Sequence, residues 1–196
     1  MGARLEELGQ ALVSDVVEED GVLVLAIQTI DEEEQKQKRG RARPKAKEDG
    51  GKEVKNDESI RRVPIHPVIL AAGFAEYAAD LRACGSKRLV PELRPNKYGT
   101  LTAKISKDFA KLLASLGLDD PALVFHSLRH GFKTASRSAE MKEEIHDYLT
   151  GHAHGSVGRT YGHYRIGLLF DKISRIKFPA VDQLFLARAH GNRGGA

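Results

Sequence analysis

The chain has 196 residues, 41% of them hydrophobic, enough to bury one core of ordinary domain size. Lys and Arg number 31 against 27 Asp and Glu, so the formal charge is only +4 and leans modestly toward a polyanionic partner. The single cysteine, Cys84, excludes an internal disulfide, and no apolar run approaches the roughly 20 residues of a membrane span.

The chain opens with Leu5, Leu8 and Leu12 at helical spacing among Glu6, Glu7 and Gln10, which predicts a short amphipathic helix. This start has no apolar stretch of a secretory signal, so the expectation is a soluble cytoplasmic protein without a membrane partner. It also begins abruptly before Arg4, as the later part of a longer protein would. After an acidic turn, the β-branched run Gly21 to Ile27 predicts a buried strand. Ile60 to Ile65 predicts a second strand of edge type, because Pro64 cannot donate to a central ladder.

Between these strands, residues 31–57 carry an acidic block, Asp31 to Glu34, and a basic one, Lys36 to Lys47, with almost no apolar side chain. Such a segment buries too little surface to offset its ordering entropy and is expected to be a solvated hairpin tip. From Pro67 onward the pattern is helical. Val68 to Leu81 is Ala-rich, and Thr102 to Leu116 places Ile105, Phe109, Leu112, Leu113 and Leu116 on one face. The breakers Pro91, Pro95, Asn96 and Gly99 mark a loop between them, and further helices are expected at Ser127 to Ser138, Lys142 to Leu149 and Ile166 to Ile176. The expected fold class is α+β, mainly α, as one domain over residues 1–196 with a small antiparallel sheet near the start and a tail from about 180 to 196.

His126-Ser127-Leu128-Arg129-His130 is the densest cluster of reactive groups. With a helix starting near Ser127, His126 and Arg129 project from one face toward a single anion, and the helix N-terminus adds its own attraction. Arginine suits phosphate because its planar fork donates two parallel hydrogen bonds and keeps its charge. Downstream stand Leu149-Thr150-Gly151-His152 and Thr160-Tyr161-Gly162-His163-Tyr164. Taken singly, each of these residues is commonplace in loops and half-buried packing. No phosphate-cradling Gly-rich loop, C-x-x-C or H-E-x-x-H sequence occurs.

The order of these groups carries more than their types. Gly2-x-Arg4-x-x-Glu7-Leu8, His126-x-Leu128-Arg129-His130, Leu149-x-Gly151-His152 and Tyr161, nine positions beyond His152, together resemble the tyrosine recombinase (phage integrase) family. The stretches Val124 to Val157 and Ile173 to Asp182 are most similar to integrases of bacterial prophages and genomic islands. The resemblance implies a helical catalytic domain that breaks and rejoins double-stranded DNA through a 3′-phosphotyrosyl intermediate during integration or excision of a mobile element.

Within that resemblance Tyr161 is the nucleophile, Arg4 and Arg129 hold the non-bridging oxygens, and His126 is the base. His152 donates to a phosphate oxygen, and Lys55, with Lys52 as rival, is the general acid. It further implies no cofactor, no metal and no small-molecule substrate. An upstream core-binding domain and a first catalytic-domain helix are expected to precede this chain in the whole protein, which would assemble as a homo-tetramer on DNA. Lys104, Lys107, Lys133 and Arg137 are further candidates for phosphate contact. Three alternatives remain open at this point: a type IB topoisomerase-like strand transferase, an integrase remnant that binds DNA without turnover, and a helical interaction module.

Overall fold

The structure, a computed structural model, describes residues 2–27, 60–152 and 164–179. It is α+β and mainly helical, with one small antiparallel sheet toward the N-terminal end. Helix α1 (Leu5–Gln10) leads through a 3₁₀ turn (Val13–Asp15) into strand β1 (Val16–Glu19). Strands β2 (Val22–Ile27) and β3 (Arg61–Pro64) complete a sheet of order β1-β2-β3, with Val16 opposite Leu25 and Ile27 opposite Arg61.

The expected strand at Gly21 to Ile27 is therefore the centre of the sheet, and its Val24 and Leu25 are buried. The proline-bearing strand lies at an edge, where a missing N–H is tolerated. Strand β1 is an addition to the sequence reading, which took its acidic end only as a turn. Asp20 and Gly21 both have positive φ, 52° and 72°, as a tight two-residue hairpin turn requires.

Among the described residues six helices follow: α2 (Pro67–Ala71), α3 (Phe74–Ala83), α4 (Ala103–Ser115), α5 (Ser127–Ser138), α6 (Glu143–Thr150) and α7 (Ile166–Ser174). The expected continuous helix from Val68 to Leu81 is split because Gly73 adopts φ 92°, a left-handed conformation that ends one helix and starts the next. His66 caps α2: its Nδ1 accepts from the Val68 N–H at 3.1 Å, which leaves Nε2 to donate to the Ile176 carbonyl at 3.0 Å. That bond ties the segment just after α7 to the start of α2.

Helix α7 packs on β3 and β2, and α6 packs on β3. Val24, Val63, Ile65, Leu149, Leu169, Ile173 and Ile176 form the centre of the buried cluster. By contrast, α4 buries no residue. Phe109 meets Phe125 edge to face at 5.2 Å, but Leu112 and Leu116 of its apolar face are exposed. Its start is fixed from α1, where the Glu6 carboxylate accepts from the Leu101 N–H and the Thr102 hydroxyl.

Leu169 is fully buried whereas its neighbour Leu168 is 42% exposed. Leu169→Ala is expected to lower unfolding free energy by about 3 kcal/mol, and Leu168→Ala by under about 0.5 kcal/mol, in urea denaturation.

Candidate active site

Four separate elements bring cationic and imidazole groups to one place beside the C-terminal turn of α6. Arg4 stands at the N-cap of α1, Arg61 on β3, His126 and Arg129 at the start of α5, and His152 directly after Gly151. Gly151 terminates α6 at φ 64°, and a Cβ there would come within 2.6 Å of Arg61 Nη1. Only glycine combines that left-handed turn with so close an arginine.

Glu7 organises the arginines. Its Oε2 accepts the Arg4 backbone N–H at 2.7 Å, half of a capping arrangement, and its Oε1 pairs with Arg4 Nη1 at 2.8 Å. The same carboxylate receives both terminal nitrogens of Arg61, at 3.2 and 2.8 Å. The two guanidinium groups then reach the end of α6: Arg61 Nε donates to the Leu149 carbonyl and Arg4 Nη2 to the Gly151 carbonyl, each at 2.9 Å. These carbonyls carry the negative end of the helix dipole, so cations are favoured there. Burial pushes the Glu7 carboxyl upward, but the bonds and charge of Arg61, reinforced by Arg4, outweigh it and hold the group below its ordinary 4.5.

Arg129 is 7% exposed. Its Nη1 donates to the Gly2 carbonyl, whereas its Nη2 is buried and meets no acceptor among the described residues. Burial first, then the charges of Arg4 and Arg61, pull its pKa down to about 10, against the opposing pull of Glu7 and Asp147. It therefore remains a cation at neutral pH, with one donor unsatisfied.

His126 lies at the head of α5, its ring edge-on to His130 at 5.3 Å. Desolvation, then His130, Arg129 and Arg4, hold its pKa below 6.5, which keeps it neutral and able to accept a proton at pH 7. His152 is depressed likewise, by desolvation and Arg129, with Asp147 opposing. Its Nδ1 lies 2.9 Å from Thr150 Oγ1 and 3.6 Å from Asp147 Oδ1. The same Asp147 oxygen lies 2.9 Å from His146 Nδ1, and the Phe132, His146 and His152 rings stack in sequence at 5.9 Å spacing.

Among the described residues, His146, Asp147 and His152 form the one set whose donor atoms, all within 4.8 Å of one another, approach a metal-ligand grouping. Arg129 acts on His152 as a neighbouring positive charge and opposes a metal cation there. The separation of His146 and Asp147 is that of a hydrogen bond, which suits proton sharing.

Of the sequence-derived site residues, Arg129 is thus brought into electrostatic reach of Arg4, His126 and His152, and Arg4 also of His126. Lys55, its rival Lys52 and Tyr161 lie outside the described residues, as do the charged interval 31–57 and the tail 180–196. Glu7, Arg61 and Asp147 were given no role from sequence. The position of Glu7 three residues after Arg4 was a usable signal, whereas Arg61 appears only as a strand residue until β3 is placed. Three of the four additional basic candidates already face acids: Lys104 with Asp108, and Lys133 and Arg137 with Glu143.

Comparison of the chain with protein-family models, curated proteins and solved structures returned no match.

Removing the Glu7 charge while keeping its shape takes from buried Arg61 the carboxylate that receives both of its terminal nitrogens. Glu7→Gln is expected to cost about 3 kcal/mol at pH 7 in urea denaturation. Because the folded-state pKa of Glu7 is depressed, its contribution is complete above 4.5 and lost as pH falls through the folded value. The gap between wild type and variant should therefore narrow on acidification.

Proposed function

We propose that this chain is the DNA-cleaving and rejoining domain of a tyrosine-type site-specific recombinase, acting in integration or excision of a mobile element. The observation that carries the reading is the convergence of Arg4 and Arg129 with two neutral imidazoles, around a buried guanidinium nitrogen that lacks an acceptor among the described residues. A phosphodiester oxygen is the acceptor such a donor fits, and the planar fork of arginine matches it.

In this reading the Tyr161 hydroxyl oxygen attacks the scissile phosphorus and displaces the 5′-oxygen, leaving a 3′-phosphotyrosyl link and a free 5′-hydroxyl. A phenol with pKa near 10 needs its proton removed as it attacks, and neutral His126 takes it. Arg4 and Arg129 stabilise charge gathering on the non-bridging oxygens, more in the transition state than before it. His152 binds a phosphate oxygen and Lys55 protonates the departing oxygen. Reversal with a partner strand's 5′-hydroxyl rejoins DNA and returns the protons. Double-stranded DNA is the partner, and the full-length protein works as a tetramer on it.

Tyr164 competes with Tyr161 by proximity in sequence. Its ring, however, is edge-on to Tyr148 at 5.2 Å and packs against the core cluster, a position suited to support rather than attack. On a nicked suicide duplex, wild type and Tyr164→Phe should form a covalent protein–DNA adduct on a denaturing gel, and Tyr161→Phe should not. Retention of the adduct by Tyr161→Phe would sink the assignment. Non-covalent retardation by wild type without any adduct would mark a DNA-binding remnant.

The depressed pKa of His126 fixes the direction of the pH dependence. Adduct formation should fall on acidification with a midpoint below pH 6.5, as His126 becomes protonated. His126→Ala should lower the rate about 10²–10⁴-fold and remove this limb.

A further inference from the structure

The surroundings of His152 contain a proton-handling device that phosphate binding alone does not require. Thr150 is fully buried, and its hydroxyl lies 2.9 Å from the His146 carbonyl and 3.4 Å from that of Asp147. Those carbonyls take the single hydroxyl proton, so toward His152 the Thr150 oxygen offers a lone pair, and Nδ1, 2.9 Å away, carries the hydrogen. A neutral imidazole with hydrogen on Nδ1 has a bare lone pair on Nε2, which repels a phosphate oxygen. In this geometry His152 can donate from Nε2 only as an imidazolium.

We propose that Asp147 is a positioning residue for His152: its buried carboxylate draws a second proton onto the imidazole when an anion occupies the arginine cluster, making His152 a cationic ligand of the phosphate. The inference rests on the phosphate-site reading above. Asp147 is 3% exposed, and its Oδ1 lies 3.6 Å from His152 Nδ1 while also holding His146 at 2.9 Å.

Among the described residues, the charged and titratable groups acting on His152 include Arg129 and Lys133 from α5 and His146 and Asp147 from α6. In the anion-free protein the cations and desolvation outweigh Asp147, and His152 is neutral. An anion bound by Arg129 and Arg4 cancels the repulsion and adds its own attraction, so the balance reverses in favour of the proton. Solvent supplies that proton, and binding and protonation become linked. An opposite charge at this range moves a pKa by about one unit or more.

Sulfate, an oxyanion that does not titrate in this range, tests the linkage in the DNA-free protein by NMR of labelled histidine and arginine side chains. Wild type should show the Nδ1–H tautomer for neutral His152, and saturating sulfate should raise its titration midpoint by about one pH unit or more. In saturating sulfate, Asp147→Asn should titrate about one pH unit lower than wild type. If sulfate moves the Arg129 side-chain signals but His152 titrates alike in both proteins, the role of Asp147 is overturned while the anion site stands. If sulfate moves neither, the anion site falls and this inference with it.

The wild-type tautomer is decisive without any variant, since an Nε2–H form overturns the proposal. On nicked DNA, Asp147→Asn should slow adduct formation about tenfold near pH 7. The Asp147→Asn/His152→Gln double variant should be no slower than His152→Gln alone; losses that multiply would assign Asp147 a structural role instead.

Discussion

The carboxylate of Glu7 is the constraint on which the rest of this arrangement depends. It bonds two arginines from separate elements, the N-cap of α1 and strand β3, and delivers both to the last carbonyls of α6. Removing charges of this kind from water costs several kcal/mol each, and pairing within the protein offsets that without a large surplus. Net stability is therefore a poor account of why such a cluster is built. Geometry is the better one: two planar forks, each with partners on two sides, have little rotational freedom left, and they place positive charge beside Arg129 in a fixed position.

The charge count sharpens the point. Among the described residues, Arg4, Arg61 and Arg129 stand against the one carboxylate of Glu7 that pairs directly with Arg4 and Arg61, with Asp147 acting from farther off. The end of a helix supplies about half a negative charge, too little to neutralise the remainder. On top of burial, the largest cause in each case, neighbouring positive charge lowers the pKa of Arg129, which falls to about 10, and of both imidazoles. A site that holds its cations in register before any anion arrives spends no reorganisation when charge develops on a bound phosphate, which is the physical meaning of preorganisation.

Much of this was legible in the sequence, for reasons that differ by element. Helices α5, α6 and α7 and strands β2 and β3 follow apolar periodicity, and the edge position of β3 follows from Pro64. Strand β1 was passed over because Glu18, Glu19 and Asp20 read as a turn. The Asp20-Gly21 pair was itself the hairpin signal, with Val16 and Val17 before it. Gly73 interrupts a strong Ala-rich helical pattern, and a single glycine inside such a pattern is ambiguous until its φ is known. Arg4, His126, Arg129 and His152 were marked by motifs whose order resembles that of the tyrosine recombinase family, whereas Arg61 and Asp147 were not. Their importance lies in contacts across 54 and 88 residues for Arg61 and in a shared oxygen for Asp147, neither of which leaves a periodic trace.

Those long separations also order the events by which the site can form. The bonds from Arg4 to Gly151 and from Arg129 to Gly2 span 147 and 127 residues, so no local segment contains a working part of the cluster. Sheet pairing must set β3 before Arg61 can reach α6, and α6 must be terminated by Gly151 before its carbonyls face the arginines. Contacts of such sequence separation form after the loop entropy has been met by the core. Fraying of α1 would release Arg4 and take the Glu7 carboxylate away from buried Arg61, raising the cost of that opening well above what six helical residues imply by themselves. The ion network thus couples the integrity of the short first helix to the cationic and imidazole groups at α5 and α6. Arg4 and Arg129, the arginines assigned to the proposed anion site, are in this way also the ones that hold residues 2–4 to the core.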